Sequence, residues 1–255
     1  MMPSLFLSHG APDRILSNHP ARQFLKQLPA YLPQAPKAVV VVSAHWQSPR
    51  LAMTETGTHN IQYDFGGFTE AMYQLQYPAV QPAWLTDQLE QLLNAAGQEV
   101  QKSDRPLDHG AWTVLKNSFA NADIPVAAVS LTLWRDMDAF INLGKTLAPL
   151  GEDNILLIGS GSASHNLSQL NRFNEQPPWV REFISWLQEK VEQRDIGSLT
   201  QMYQRAPHGP MAHPTAEHYL PLLVALGAAS GDRVQRLHDS YELGTLNNSS
   251  WAFGG

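Results

Sequence analysis

Two apolar runs near the start of the chain show no alternation of polar and apolar residues. They cover residues 3–8 and 38–43, and the second reads AVVVVS. Continuous apolar runs of this length are typical of strands that are buried on both faces. Residues 125–131 and 154–158 are also predicted to form strands. A central β-sheet covered by other elements is therefore expected.

Other apolar positions follow the helical repeat of about 3.6 residues. In the first helical segment Phe24, Leu25 and Leu28 share one face, and a later segment, WLTDQLEQLLNAA, has the clearest amphipathic pattern. Helices are predicted at residues 20–31, 84–96, 137–150, 178–193 and 214–226. Pro221 lies inside the last segment and should kink or shorten that helix, because proline has no amide hydrogen.

Strands that alternate with helices predict an α/β fold. The chain has no internal repeat and no low-complexity linker, and its 255 residues suit one large core. We expect a single domain over residues 1–255, with a mainly buried central sheet flanked by helices. Ligands in such folds collect at the carboxyl ends of the strands, so we expect the functional site there. The pattern does not fix the order of the strands.

Composition narrows the classes of function. The formal net charge is -6 and no short segment is rich in Lys and Arg, so nucleic-acid binding is not expected. The N-terminus lacks signal-peptide features and no stretch approaches the roughly 20 apolar residues of a membrane span, which predicts a cytoplasmic protein with no membrane association. The chain has no cysteine, so any metal would be bound through nitrogen or oxygen. The oligomeric state is not indicated.

Three of the ten histidines come directly after predicted strands. His9 follows the first strand, His45 follows the Val-rich strand, and His165 follows the strand at residues 154–158 through a Gly- and Ser-rich stretch. Small residues precede each of them, and small side chains allow backbone and ligand to approach closely. The carboxyl ends of strands are where α/β sheets bind ligands. The three positions therefore predict a ligand pocket.

Two further segments carry candidate chemistry. The segment at residues 108–112 (DHGAW) is predicted to be a loop in which His109 and Trp112 can line a pocket. In the segment at residues 213–218 (HPTAEH), Glu217 and His218 would lie about 100° apart on a helix, so only one of them should reach the centre. Three imidazoles, or two with a carboxylate, suit Zn, Fe(II), Mn or Co and leave positions open for reactants.

The motifs LFLSHGAP, VVVSAHW, YDFGGF, LDHGAW, IGSGSASHNL and HPTAEHYLPLLVALGA follow one another along nearly the whole chain. In this order they resemble the class III extradiol (LigB-like) dioxygenases, in particular the DOPA-dioxygenase branch, and more distantly the Memo family. The resemblance implies metal ligation by His9, His45 and His218. Other extradiol enzymes use two histidines and one carboxylate, so Glu217 is an alternative to His218.

The resemblance also implies roles for other residues. His165 falls at the position of the catalytic acid/base histidine and close enough to the metal to serve as a fourth ligand. His109 matches a second catalytic histidine that contacts substrate or oxygen. Asp64, Phe65 and Trp112 are expected to contact the substrate.

The implied activity is cleavage of a catechol such as L-DOPA by O2 to give a semialdehyde. The implied working metal is Fe(II), with Zn(II) expected in purified protein because divalent affinities do not follow the working metal. Two alternatives stay open on the sequence. One is a zinc-dependent hydrolase on the same histidines, and the other is a non-catalytic, Memo-like protein that binds a metal or ligand.

Overall fold

A computed structural model of the protein describes residues 1–133, 135–171, 173 and 175–254. Its strands, in chain order, are β1 (Ser4–Ser8), β2 (Ala38–Ser48), β3 (Ala52–Thr54), β4 (Gly57–His59), β5 (Ala79–Gln81), β6 (Gln101–Ser103), β7 (Val126–Thr132), β8 (Ile155–Gly161), β9 (Val234–His238), β10 (Tyr241–Glu242), β11 (Leu246–Asn247) and β12 (Ser250–Phe253). Its helices are α1 (Pro20–Gln27), α2 (Glu70–Tyr73), α3 (Ala83–Ala95), α4 (His109–Ser118), α5 (Met137–Leu147), α6 (Pro178–Glu192), α7 (Ile196–Leu199), α8 (Met202–Arg205), α9 (Gly209–Ala212) and α10 (Leu220–Gly227).

The main sheet has eight strands in the order β6-β3-β7-β2-β8-β1-β12-β9. Its centre, β7-β2-β8-β1, is parallel throughout. The outer strands make the sheet mixed, because β3 pairs with β7, and β12 with β1, in the antiparallel direction. The three strands that contain or precede His9, His45 and His165 are therefore parallel neighbours whose carboxyl ends meet at one edge.

The core lies on both sides of this sheet. In β2, Val40 and Val42 pack into a cluster with residues of α3, α5, α6 and α10, whereas Val39 and Val41 pack into a second cluster with residues of α1 and α4. All four valines are fully buried. The predicted α/β fold with a central sheet covered on both faces is confirmed.

Prolines determine where several helices begin or end. The helix predicted at residues 20–31 is α-helical only as far as Gln27, and a 3-10 turn containing Pro29 follows it. The helix predicted at residues 137–150 ends in the same way at a turn that contains Pro149. The prediction for residues 214–226 was wrong at its start, because α10 begins only at Leu220. Pro221 occupies the first turn, where its missing amide hydrogen costs no bond, so the helix is shortened as expected.

Two other predictions need correction near the site. Residues 108–112 are not a loop, because α4 starts at His109 and the Asp108 side chain caps it by accepting a hydrogen bond of 3.1 Å from the backbone N–H of Ala111. The Val-rich strand continues to Ser48, so His45 lies within β2 and does not follow it. The C-terminal strands β9 and β12 were not predicted.

None of the helices in the described part of the chain combines the length and apolarity required to cross a lipid bilayer.

Candidate metal centre

Five histidines from five separate segments meet at the carboxyl edge of the parallel strands. The ring centroids of His9 and His45 lie 5.0 Å apart, and that of His218 lies 5.4 Å from His9 and 4.9 Å from His45. The ring of His109 lies 3.9 Å from that of His45, and the ring of His165 lies 3.5 Å from that of His218. The structure thus brings together all five histidines that the sequence singled out.

His218 reaches the cluster from a turn that precedes α10. Its backbone carbonyl accepts a hydrogen bond of 2.9 Å from the N–H of Ser162, just beyond the end of β8. A Cβ atom on Gly161 would lie 2.2 Å from the same carbonyl oxygen. Only glycine therefore allows the turn to approach the strand this closely.

Ser160 sets the protonation pattern of His9. The Ser160 hydroxyl donates to the backbone carbonyl of Gly110 at 2.6 Å, and its oxygen lies 3.0 Å from Nδ1 of His9. Because the hydroxyl proton is already used, Nδ1 must be the donor in this contact. Nε2 of His9 then carries a lone pair, and it lies 3.1 Å from Nε2 of His45.

Glu217 likewise keeps the proton of His218 on Nδ1. The Glu217 carboxylate accepts a hydrogen bond from Nδ1 of His218 at 3.1 Å and another from the Thr215 hydroxyl at 2.9 Å. Burial is the largest single influence on the pKa of Glu217 and raises it. The hydrogen bonds with His218 and Thr215 together outweigh burial and lower this pKa to about 2. Nε2 of His218 is buried and has no hydrogen-bond partner among the residues that the structure describes. A buried ring nitrogen without a hydrogen-bond partner is typical of a metal ligand.

The three residues fit a divalent transition metal. Donor nitrogens of His9, His45 and His218 lie within 4.8 Å of one another. Nε2 of His9 lies 3.1 Å from Nε2 of His45, close enough for one ion with metal–nitrogen bonds of about 2.1 Å to contact both. Burial, and then the neighbouring histidines, lower the pKa of His9 far below its usual value and that of His45 to about 2. Neutral imidazole is the form that binds metal.

Glu217 and His165 form a second potential ligand group with His218. The carboxylate of Glu217, however, contacts Nδ1 of His218, which leaves Nε2 of the same ring available as a ligand. This arrangement favours His218 over Glu217 as the third ligand.

His165 is stacked on His218 with the two ring planes 10° apart. Its backbone N–H donates to the carbonyl of Ala212 at 2.9 Å, and the buried His213 holds the same loop through a contact of 3.0 Å from Nε2 to the carbonyl of Ala163. Burial, and then the neighbouring His218, lower the pKa of His165 to about 3. His165 is therefore a neutral imidazole that can accept a proton.

The other sequence-predicted residues form one wall beside His109. The backbone N–H of His109 donates to Asp64 at 2.9 Å, and the ring of Phe65 meets the His109 ring edge-on at 5.8 Å. Trp112 is fully buried, donates to the carbonyl of Gln62 at 3.1 Å and packs against Phe65. Trp112 thus supports the wall from behind.

Sequence reasoning missed the residues that hold the ligands in place. Ser160 belongs to the Gly-Ser stretch before His165, and its role toward His9 depends on the pairing of β1 with β8. Ser43 donates to Asp108 at 2.6 Å and Arg105 donates to the carbonyl of His45 at 2.9 Å. The serine beside each strand-end histidine was visible in the sequence, but its partners were not.

Fold and site together define an α/β protein in which histidines gathered at one edge of a parallel sheet could hold a metal. Comparison with known families is specific: residues 2–254 match the family model described as the catalytic LigB subunit of aromatic ring-opening dioxygenase. The chain belongs to this LigB family and is an oxidoreductase of the ring-cleaving dioxygenase type.

Relatives cover nearly the whole chain. A protein of Beta vulgaris named 4,5-DOPA dioxygenase extradiol is 33% identical over 98% of this chain and 96% of its own length. A protein of Escherichia coli K12 with the same name is 34% identical over 99% of this chain and 95% of its own length. A crystal structure of an uncharacterized protein from Escherichia coli K12 superposes with a TM-score of 0.83 at 30% identity and covers 100% of both chains.

Proposed function

We propose that this chain is a metal-dependent extradiol dioxygenase that opens the ring of a catechol such as L-DOPA with O2 to give a semialdehyde. Membership of the LigB family supports ring cleavage, and the names of the relatives support a catechol substrate. The observation that carries the proposal is the convergence of His9, His45 and His218, whose donor nitrogens lie within 4.8 Å of one another. A small aromatic substrate and O2 are the partners that this reaction needs, and we propose a cytoplasmic location.

The metal would be held by these three histidines, which leave further positions open. Fe(II) is proposed as the working ion because reaction with O2 requires a redox-active centre, and it would supply the chemistry that joins O2 to the ring. Zn(II) binds the same ligand type strongly, so it is expected in protein purified without added iron.

The side chains around the metal position would handle protons and bind the ring. His165 is neutral, so one of its ring nitrogens can accept the proton of a catechol hydroxyl and return it as the ring opens. His109 would contact the bound substrate or O2. An aromatic ring would pack on Phe65, with Trp112 behind it and Asp64 holding His109 beside it. In the overall reaction both oxygen atoms enter the product and the carbon–carbon bond beside the diol breaks.

The test is anaerobic reconstitution of metal-free protein with Fe(II), followed by L-DOPA and a known amount of O2. We expect oxygen uptake that is matched mole for mole by a yellow semialdehyde, measured with an oxygen electrode and by visible absorbance. A His218→Ala variant treated identically should bind little Fe(II) and form little product. Absence of oxygen uptake with Fe(II) demonstrably bound would refute the proposal, and ester hydrolysis by the Zn(II)-loaded protein would then favour a hydrolase.

A further inference from the structure

Both oxygens of the Asp64 carboxylate are directed at one residue, His109. Oδ1 accepts a hydrogen bond of 2.9 Å from the backbone N–H of His109, and Oδ2 lies 3.0 Å from Nδ1 of its ring. The two residues are 45 positions apart in the chain. A carboxylate that contacts the backbone and the ring of the same residue constrains both the place and the rotation of that ring.

Nδ1 of His109 makes no well-aligned hydrogen bond within the described part of the chain. The atom is buried, and the contact with Oδ2 is close without being aligned as a linear hydrogen bond. Burial alone would raise the pKa of Asp64, but its hydrogen bonds and charge interaction with His109 outweigh burial and lower that pKa. Asp64 is therefore an anion at neutral pH, placed 3.0 Å from Nδ1.

The charge of Asp64 decides which ring nitrogen of His109 carries the proton. A neutral imidazole has one N–H and one lone pair. If Nδ1 held the lone pair, it would face a carboxylate lone pair at 3.0 Å and the two would repel each other. A proton on Nδ1 replaces this repulsion with attraction, and Nε2 is then left as a hydrogen-bond acceptor.

We propose that Asp64 is a positioning residue that holds His109 in its Nδ1–H tautomer, so that Nε2 accepts a hydrogen bond from a substrate hydroxyl. The second half of this statement rests on the proposed function, because a catechol supplies the hydroxyl donor. The tautomer is a property of the chain itself. Asp64 would thus act through His109, and it would not bind the substrate directly.

The packing of Phe65, the residue after Asp64, allows the charge of Asp64 to be removed without displacing the loop. Phe65 contacts the rings of both His109 and Trp112, at centroid distances of 5.8 and 6.3 Å. These contacts do not depend on the charge of Asp64, so they should keep the loop in place when that charge is removed. Asp64→Asn is nearly isosteric: its amide oxygen can still accept from the backbone N–H of His109, while its NH2 group would donate to Nδ1. This variant should therefore move the His109 proton to Nε2.

The first measurement is the nitrogen NMR spectrum of protein with 15N-labelled histidine, loaded with diamagnetic Zn(II). His109 is assigned by the signal that disappears in His109→Asn. We expect His109 to be protonated on Nδ1 in the wild type and on Nε2 in Asp64→Asn. A wild type protonated on Nε2, or the same tautomer in both proteins, would overturn the proposal.

The second measurement uses the Fe(II)-loaded proteins. In Asp64→Asn we expect kcat to fall by about 100-fold, within the range that a misplaced proton acceptor costs, with KM changed only a few-fold. Glu70→Gln is the matched control, because Glu70 is an exposed carboxylate on α2 that bonds only to Gln74 in the described chain. It should leave kcat and the His109 tautomer unchanged.

The two measurements separate the two proposals. A wild type that shows the Nδ1–H tautomer but cleaves no catechol would refute the proposed function and leave the assignment of Asp64 to His109 intact. Wild-type kcat in Asp64→Asn despite a demonstrated change of tautomer would refute the positioning role in catalysis.

Discussion

Among single residues, His165 lies beside a proposed metal ligand and has an unprotonated ring nitrogen at neutral pH. Its ring is stacked on that of His218, and burial lowers its pKa to about 3. Donor nitrogens of His9, His45 and His218 lie within 4.8 Å of one another without any contribution from His165, so removal of His165 should leave this set intact.

We therefore expect His165→Ala to retain metal and to lose ring cleavage by about 100- to 10,000-fold, the range that a general acid/base contributes. Metal content by mass spectrometry and oxygen uptake with L-DOPA measure the two effects separately. Full activity in His165→Ala would show that the proton is transferred elsewhere. Loss of bound metal would show that His165 is a ligand.

Glu217 is expected to set the metal affinity of His218. The hydrogen bond of 3.1 Å from Nδ1 fixes the ring and makes Nε2 a stronger donor to a metal. Loss of such a carboxylate partner typically weakens metal binding by about 10- to 100-fold. Glu217→Ala should show this loss in a chelator competition with Zn(II), and Glu217→Gln should lose less because its amide oxygen still accepts the bond.

The matched control for Glu217 is Glu182→Ala. Glu182 contacts His208 at 2.9 Å in a pair of the same type that lies exposed on the surface. Its removal should leave the Zn(II) affinity at the wild-type value. If Glu182→Ala weakened binding as much as Glu217→Ala, the effect would reflect charge in general and not the contact with His218.

At the scale of elements, the close approach of β8 to the turn before α10 positions His218. A methyl group at residue 161 would clash with the His218 carbonyl, because the Cβ would lie 2.2 Å from that oxygen. Gly161→Ala should therefore destabilise the fold by about 1–3 kcal/mol, as overpacking typically does, and lower the Zn(II) affinity by moving His218. Urea unfolding and chelator competition measure the two effects, and Gly231→Ala, with no atom within 4 Å of the new Cβ, is the control.

The long, buried elements were readable from the sequence, whereas most of the short strands and helices were not. Continuous valines predicted β2, and apolar spacing predicted α3 and α6, because these signals are local. The predictions failed where a contact between residues far apart in the chain determines the local structure. Residues 214–219 have a helical composition, yet the bond from Ser162 to the His218 carbonyl holds them in a turn. The C-terminal strand β12 is short, and its partners β1 and β9 are distant from each other in the chain.

The sequence pointed to the five histidines that the structure brings together, but not to the residues that form hydrogen bonds with them. Strand-end placement and family resemblance pointed to the five histidines. The partners that determine their tautomers were not accessible, since Ser160 meets His9 over 151 positions and Asp64 meets His109 over 45. The periodic pattern of polar and apolar residues does not predict hydrogen bonds between residues so far apart in the chain.

At the scale of the whole molecule, buried neutral histidines tie stability to pH. His213 is fully buried, and burial lowers its pKa to about 4. A histidine with a depressed pKa in the folded state stabilises the fold fully above about pH 6.5, its unfolded value, and this contribution is lost as the pH falls toward 4. In that window each pH unit can cost up to about 1.4 kcal/mol.

Metal-free protein should therefore lose free energy of unfolding between pH 7.5 and 5, as measured by urea titration. His213→Gln should show a smaller loss over the same interval, because its amide can still donate to the Ala163 carbonyl and has no proton to gain. Equal pH dependence in the two proteins would mean that His213 remains neutral in the unfolded chain or is charged in the folded one.

The proposed metal should also act on the whole fold, since its ligands come from β1, β2 and the turn before α10. A ligand that binds only the folded state adds about 2.7 kcal/mol at a free concentration of 100 times Kd. For a chain of this size that corresponds to a rise in Tm of roughly 5–10 °C. We expect this rise when Zn(II) is added to metal-free protein in a calorimeter at pH 7.5.

The His218→Ala variant should lose most of this rise in Tm, because two histidines bind far more weakly than three. The control His208→Ala, which changes a surface histidine, should keep it. An equal rise in both variants would place the bound Zn(II) away from the cluster at His9, His45 and His218.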